Sequence, residues 1–340
     1  MAPTRLKPKP VDAGEGSTAP VGSRGSIGRI LADLGVEYAM VGVLIVVVIV
    51  ASILESRFLD NTNISNILTQ NAQVGLVAIG MTFVVIAGGF DLSVGGIFAL
   101  AGVLYAHFAN SLPVSLAFVL MLAIAVAIGV GNGLVITKLN VNAFVATLGS
   151  ASIFSGLAFL IAANGAIFVE KPSFFWLGTH SLLGIRVTIW ILGFAFLIGA
   201  FVLAKTVYGR AVYTVGGNAE AARLSGMRVG LIQASTYVLA ALGAVLGGML
   251  LASETQVGQA NVGAEVTLNA IAVVIIGGTS LYGGRGAMWR TLVGLLIIAS
   301  ITNLLSLMAV NSSVQSVAKG GIVILAVAFD AWTQKRRRAV

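Results

Sequence analysis

The feature that most limits what this chain can fold into is a run of ten apolar stretches. Each is close to the roughly 20 residues that a helix needs to cross a bilayer. They cover residues 38–54, 71–89, 92–109, 114–136, 143–163, 188–204, 232–252, 265–281, 291–310 and 315–332. Hydrophobic residues make up 58% of the 340 and charged residues only 9%, against about 25% charged in a soluble domain. Lipid must therefore be the solvent for most of the chain. A membrane barrel would alternate polar and apolar residues in segments of about 10, and no such pattern occurs. The 42 glycines suit close helix–helix approach in lipid, where no hydrophobic effect drives association. The expected fold is all-α: a polytopic membrane protein of about ten transmembrane helices with broken, glycine-rich hairpins.

Charge placement orients these stretches. With the N-terminus inside, the inner segments hold five basic residues between Arg5 and Arg29, then Lys138, Lys205, Arg210, Arg223, Arg228, Arg285, Arg290 and Lys335–Arg338. Arg57, Lys171 and Arg186 fall outside, and Lys319, within a stretch, is expected to snorkel toward the outer edge. Such a bias follows the positive-inside rule. It also disposes of nucleic acid as the reason for a net charge of +8, because the basic residues flank apolar spans. The expected organisation is a disordered cytoplasmic tail over 1–36, a transmembrane domain over 37–334 and a basic cytoplasmic end at 335–340. The tail has no early apolar core of the kind a signal peptide needs. The chain has no cysteine, two histidines and no GxxxxGK[ST] phosphate cradle. No metal, no bound cofactor and no catalytic residue is expected, and any ATP hydrolysis would fall to another polypeptide.

Two places break the apolar pattern in nearly the same words: VVIAGGFDLSVGG from Val84 and VVIIGGTSLYGG from Val273. The shared VVIxGGxxL is either an internal repeat or a coincidence of glycine-rich sequence. The breaks are either tight turns at the cytoplasmic edge or re-entrant segments lining a polar path. Asp91 is either functional, as carboxylates in membranes usually are, or an N-cap for the helix from Leu92.

Residues 205–231 form a long inner loop, KTVYGRAVYTVGGNAEAARLSGMRVGL. Gly216–Gly217 reads as a break, Asn218 as an N-cap, Ala219–Leu224 as a helix of about two turns and Ser225–Gly226 as its stop. Glu220 and Arg223 complement its dipole. A capped helix in so long a connection suggests a docking element. For an uncharged solute the path would need amide, hydroxyl and aromatic partners. Asn71, Gln73, Thr82, Phe83, Asp91, Ser93, Asn132, Asn142, Phe144, Thr147, Asn164 and Asn303 are candidates, each with the competing reading of a hydrogen bond that ties helices together.

Three blocks carry a resemblance: Phe58–Gly96, Tyr208–Val229 and Asn269–Gly286. In order and spacing they resemble bacterial ABC-transporter permeases for ribose, xylose, arabinose and related sugars, from about residue 38 to the end. The resemblance implies a permease subunit that works as a homodimer, with a cytoplasmic ABC ATPase using ATP and magnesium below and a periplasmic sugar-binding protein above. It would lie in the bacterial inner membrane with both termini cytoplasmic. It further implies that Asn218, Glu220, Ala221, Arg223, Leu224, Ser225 and Gly226 contact the ATPase. Asn269 departs from the family, whose members often carry an acidic residue there. Two other functions remain open: a permease for another small polar solute such as a polyol, nucleoside or autoinducer, and an ion-coupled secondary transporter.

Overall fold

A computed structural model describes residues 26–163 and 165–338. Its helices are α1 (Ser26–Leu54), α2 (Asn61–Ile86), α3 (Val94–Ser111), α4 (Val114–Thr137), α5 (Ala143–Ile161), α6 (Pro172–Thr179), α7 (Val187–Lys205), α8 (Val207–Gly217), α9 (Ala219–Leu224), α10 (Val229–Thr255), α11 (Gly263–Ile276), α12 (Met288–Leu307) and α13 (Ser312–Arg338). Four short strands join them: β1 (Ala166–Phe168), β2 (Ser181–Leu182), β3 (Ile185–Arg186) and β4 (Val257–Gln259). The architecture is helical as expected, with short strands only in its connections. β1 pairs antiparallel with β4, and β2 with β3 forms a hairpin, because backbone between helix ends must find hydrogen-bond partners.

Among the described residues seven helices are long and apolar enough to cross a membrane: α2, α3, α4, α5, α7, α10 and α12. Tyr38–Leu54 within α1 and the whole of α11 are apolar but shorter, and the expected stretch 315–332 lies inside α13. Residues 26–36, expected in the tail, are instead the first turns of α1. No proline intervenes between Pro20 and Pro113, so a helix begun in the apolar part can propagate backward. The rest of the expected tail lies outside the described residues, as do Asn164 and residues 339–340.

Burial separates core helices from peripheral ones. In its most apolar stretch α2 is 78% buried and α5 only 11%, so α2 belongs to the interior while α5 turns most of its surface outward. α10 is the central post, packed along α2, α3 and α4. Gly80 lies against the backbone of Ala240, and Gly243 against the Leu76 carbonyl; a side chain at either position would push α2 and α10 apart. Polar ties add to this packing. Thr82 and Thr291 join α2 to α12 through their hydroxyls at 2.8 Å. Asn63 and Asn303 exchange two amide hydrogen bonds of 2.9 Å between the same helices.

The two breaks are the same device. At the first, Gly88 takes φ +79°; its N–H donates to the Val85 carbonyl and the Gly89 N–H to that of Val84. At the second, Gly278 takes φ +82°; its N–H donates to Ile275 and the Thr279 N–H to Val274. Both are Schellman caps, which need a left-handed residue that glycine supplies without strain. The sequence echo aligns Gly88 with Gly277, yet the left-handed residue is Gly278, so the stops are offset by one. The stop also shortens α11 to 14 residues against the expected span 265–281.

Candidate functional site

Residues 205–231 fold into two helices where the sequence suggests one. α8 carries Gly209, Val212 and Val215 on its buried side. Tyr208 ties it to Ser235 of α10 at 2.8 Å. Gly216–Gly217 is not a break but the end of α8, and the chain turns at Asn218 alone, where φ is −159°. The Asn218 side chain accepts the Ala221 N–H at 2.9 Å and so starts α9 as an N-cap. α9 ends on a third Schellman cap. Gly226 has φ +84°, its N–H donates to the Arg223 carbonyl and the Met227 N–H to that of Ala222.

This capped helix is exposed. Leu224 is 79% accessible, and only Ala222 of α9 is buried. Arg223 and Glu220 pair at 2.7 Å across one turn. The hydrogen bond to Glu220 raises the Arg223 pKa above its usual value, although a pair so open to water adds little stability. What the arrangement offers is a rigid knob with an apolar tip at Leu224 and one charge of each sign beside it.

A second constellation lies between α2 and α3. Residues 87–93 run as non-helical backbone beside α10, and the Tyr237 hydroxyl donates to the Phe90 carbonyl at 3.4 Å. Tyr237 is eight residues into α10, about 12 Å along its axis at 1.5 Å per residue. Asp91 is fully buried. Its Oδ1 accepts the Ser93 N–H at 2.8 Å and the Ser93 hydroxyl at 2.5 Å. Asn132 of α4 donates to the Ser93 hydroxyl at 2.8 Å, and Ser150 of α5 donates to Asn132 Oδ1 at 2.7 Å. A polar chain therefore crosses from the break through α4 to α5. The Asp91 Oδ2 is buried without a hydrogen-bond partner among the described residues. α3 starts at Val94, two residues later than expected, because the Asp91 carboxylate closes an Asx-type turn on Ser93 and does not cap a helix from Leu92.

The other expected path residues are scattered. Asn142 is the exposed N-cap of α5, accepting the Phe144 N–H at 2.9 Å. Phe144 is 53% exposed, with its ring 6.5 Å from that of Phe90. Thr82, Thr147 and Asn71 each donate to the carbonyl four residues back, and Phe83 is buried. Gln73 donates to Glu254 at 2.6 Å. Lys319, expected to snorkel, instead pairs with Glu265 of α11 at 2.9 Å. Sequence reasoning missed Ser150 and Phe90; the small polar residues of α5 at helical spacing from Asn142 were the available signal. Among the described residues no acidic, histidine or cysteine cluster could hold a metal.

Residues 63–327 match the family described as the branched-chain amino acid transport system permease component. The chain is 43% identical to the ribose import permease protein RbsC of Bacillus subtilis (strain 168), over 84% of this chain and 90% of that one. It is 34% identical to the L-arabinose ABC transporter permease protein AraH of Azospirillum brasilense over 100% and 98%. Identity to the L-arabinose transport system permease protein AraH of Escherichia coli (strain K12) is 37% over 96% and 98%. No solved structure matches the chain. With one family covering most of the chain, and relatives alike nearly end to end, this polytopic helical membrane protein belongs to the family of branched-chain amino acid transport system permease components.

Proposed function

We propose that the chain is the membrane subunit of an ABC importer in the bacterial inner membrane, carrying a monosaccharide delivered by a binding protein and driven by a separate ATPase. The observation that carries this reading is α9. It is a six-residue helix capped at both ends and exposed along most of its length, held between the short α8 and the long α10. A mere connector needs neither cap; a surface that must transmit force to a partner needs both. Asn218, Glu220, Ala221, Arg223, Leu224, Ser225 and Gly226 form the ATPase contact, on the cytoplasmic side with both termini. Support for a sugar comes from relatives named for ribose and arabinose, both uncharged polyhydroxy solutes.

The path runs between two copies of the chain. Within one copy the accessible part of the expected set is Asn142 and Phe144, beside Phe90. An amide and two rings suit the hydroxyls and C–H faces of a sugar. Asn132 and Ser93, both buried and bonded to each other, brace the break, and Asp91 acts on the solute only by shaping it. Thr147 and Asn71 are bonded within their own helices, and Thr82 ties α2 to α12.

Reconstitution tests the reading. Vesicles holding this chain, its ATPase and binding protein are expected to accumulate sugar only when ATP is present. Accumulation by the chain alone under a proton or sodium gradient would overturn it in favour of a secondary transporter.

A further inference from the structure

We infer that Gly216, at the end of α8, is a positioning residue that locks the coupling helix to both breaks, so that α9 and the two hairpins move as one body. This rests on the coupling role proposed above and adds the route by which a push on α9 reaches the bundle.

Three backbones meet at this point with no side chain between them. The Gly284 N–H donates to the Ile86 carbonyl at 2.8 Å, which joins the loop before α12 to the last turn of α2. A Cβ on Gly216 would collide with that same Ile86 oxygen and stand 2.8 Å from the Gly284 nitrogen. A Cβ on Gly283 would meet the Gly216 oxygen at 2.6 Å and the Gly88 Cα at 2.9 Å, and one on Gly284 the Gly217 Cα at 2.7 Å. Gly283 and Gly284 are both left-handed, at φ +81° and +69°. The Tyr213 hydroxyl, one turn back on α8, donates to the Gly286 carbonyl at 2.8 Å.

The consequence is mechanical. Side chains between packed elements allow small sliding, whereas backbone in direct contact and hydrogen-bonded leaves almost none. Only Asn218 separates this junction from α9. A force on α9 therefore arrives undamped at the end of α2, which leads into the 87–93 break, and at the loop leading into α12. The two glycine-rich echoes in the sequence are the two surfaces that α8 grips. Gly216 is needed for contact alone, Gly283 and Gly284 for contact and left-handed conformation together.

The test uses the whole complex in vesicles, reading three quantities: ATPase retained on the permease, ATP hydrolysis and sugar taken up per ATP. Gly216→Ala forces the backbones apart and is expected to lower uptake per ATP most. Because it can also impair folding, Tyr213→Phe, which removes one hydroxyl, is the companion variant. It is expected to keep the ATPase bound and hydrolysing while uptake per ATP falls about threefold to tenfold, the factor that one lost hydrogen bond represents. Tyr213→Phe with wild-type uptake per ATP would overturn the inference and leave docking at α9 standing. Arg223→Glu, by contrast, is expected to release the ATPase, and its retention with full uptake would overturn the docking role itself. Spin labels at Leu224→Cys and Tyr282→Cys add a direct readout. Their separation is expected to change by less than ~2 Å between nucleotide-free and ATP-bound states, since rigid-body motion preserves internal distances. A shift above ~5 Å, about one helical turn, would mean α9 moves independently of the junction.

Discussion

At the scale of single residues, charge and geometry can be separated at Asp91. The Oδ1 of Asp91 holds the buried Ser93 N–H and hydroxyl, and no cation pairs with the carboxylate among the described residues. Asp91→Asn keeps an acceptor at Oδ1 and adds donors, so uptake should stay within about threefold of wild type, because the cost of a buried charge is removed as well. Asp91→Ala leaves the Ser93 N–H buried and unpartnered, and is expected to destabilise by about 1–3 kcal/mol. Thermal melting in detergent with parallel uptake assays checks both; equal loss in the two variants would mean that the negative charge itself is used. Gly226 gives a graded case. A Cβ there meets nothing within 4 Å, so Gly226→Ala suffers only the left-handed conformation, about 1–2 kcal/mol. Gly226→Pro cannot adopt φ +84° and loses the N–H that closes the cap. The expected order of ATP-driven uptake is wild type, then alanine, then proline near zero, at equal expression by immunoblot.

At the scale of elements, what could be read from sequence and what could not divide by range. The long helices follow from apolar run length, and α9 from Asn218, Glu220 and Gly226 alone, because caps and dipoles act within one turn. α8 escaped because Val207, Tyr208, Gly209, Val212, Tyr213, Thr214 and Val215 are weak helix formers; burial of Gly209, Val212 and Val215 overrides the preference. The pairing of β1 with β4 joins Ala166 to Gln259. No local pattern encodes such partners, nor the bonds that tie the 87–93 break to the two helices α4 and α5. The reciprocal Asn63–Asn303 bond is likewise invisible in sequence, although Asn303 stood out as polar. Asn303→Leu leaves Asn63 without its cross-helix partner and is expected to lower stability by about 0.5–1.5 kcal/mol, while Asn63→Leu combined with Asn303→Leu recovers part of the loss. A double-mutant cycle by thermal unfolding checks this; strictly additive losses would mean that the pair does not tie α2 to α12.

At the scale of the whole molecule, composition alone commits the chain to lipid, and the family assignment agrees with the helices long enough to span it. The proposed function stands on sidedness plus contact: α9 should face the cytoplasm and be covered by the ATPase. Because the chain has no cysteine, single substitutions report without background. The decisive measurement is labelling of Leu224→Cys by a membrane-impermeant thiol reagent, with Ser181→Cys in the β2–β3 hairpin as the opposite-side control. Leu224→Cys is expected to react in inside-out vesicles, to be protected when the ATPase is bound and to stay unlabelled in intact spheroplasts, where Ser181→Cys reacts. Labelling of Leu224→Cys from the outside would contradict the proposed function.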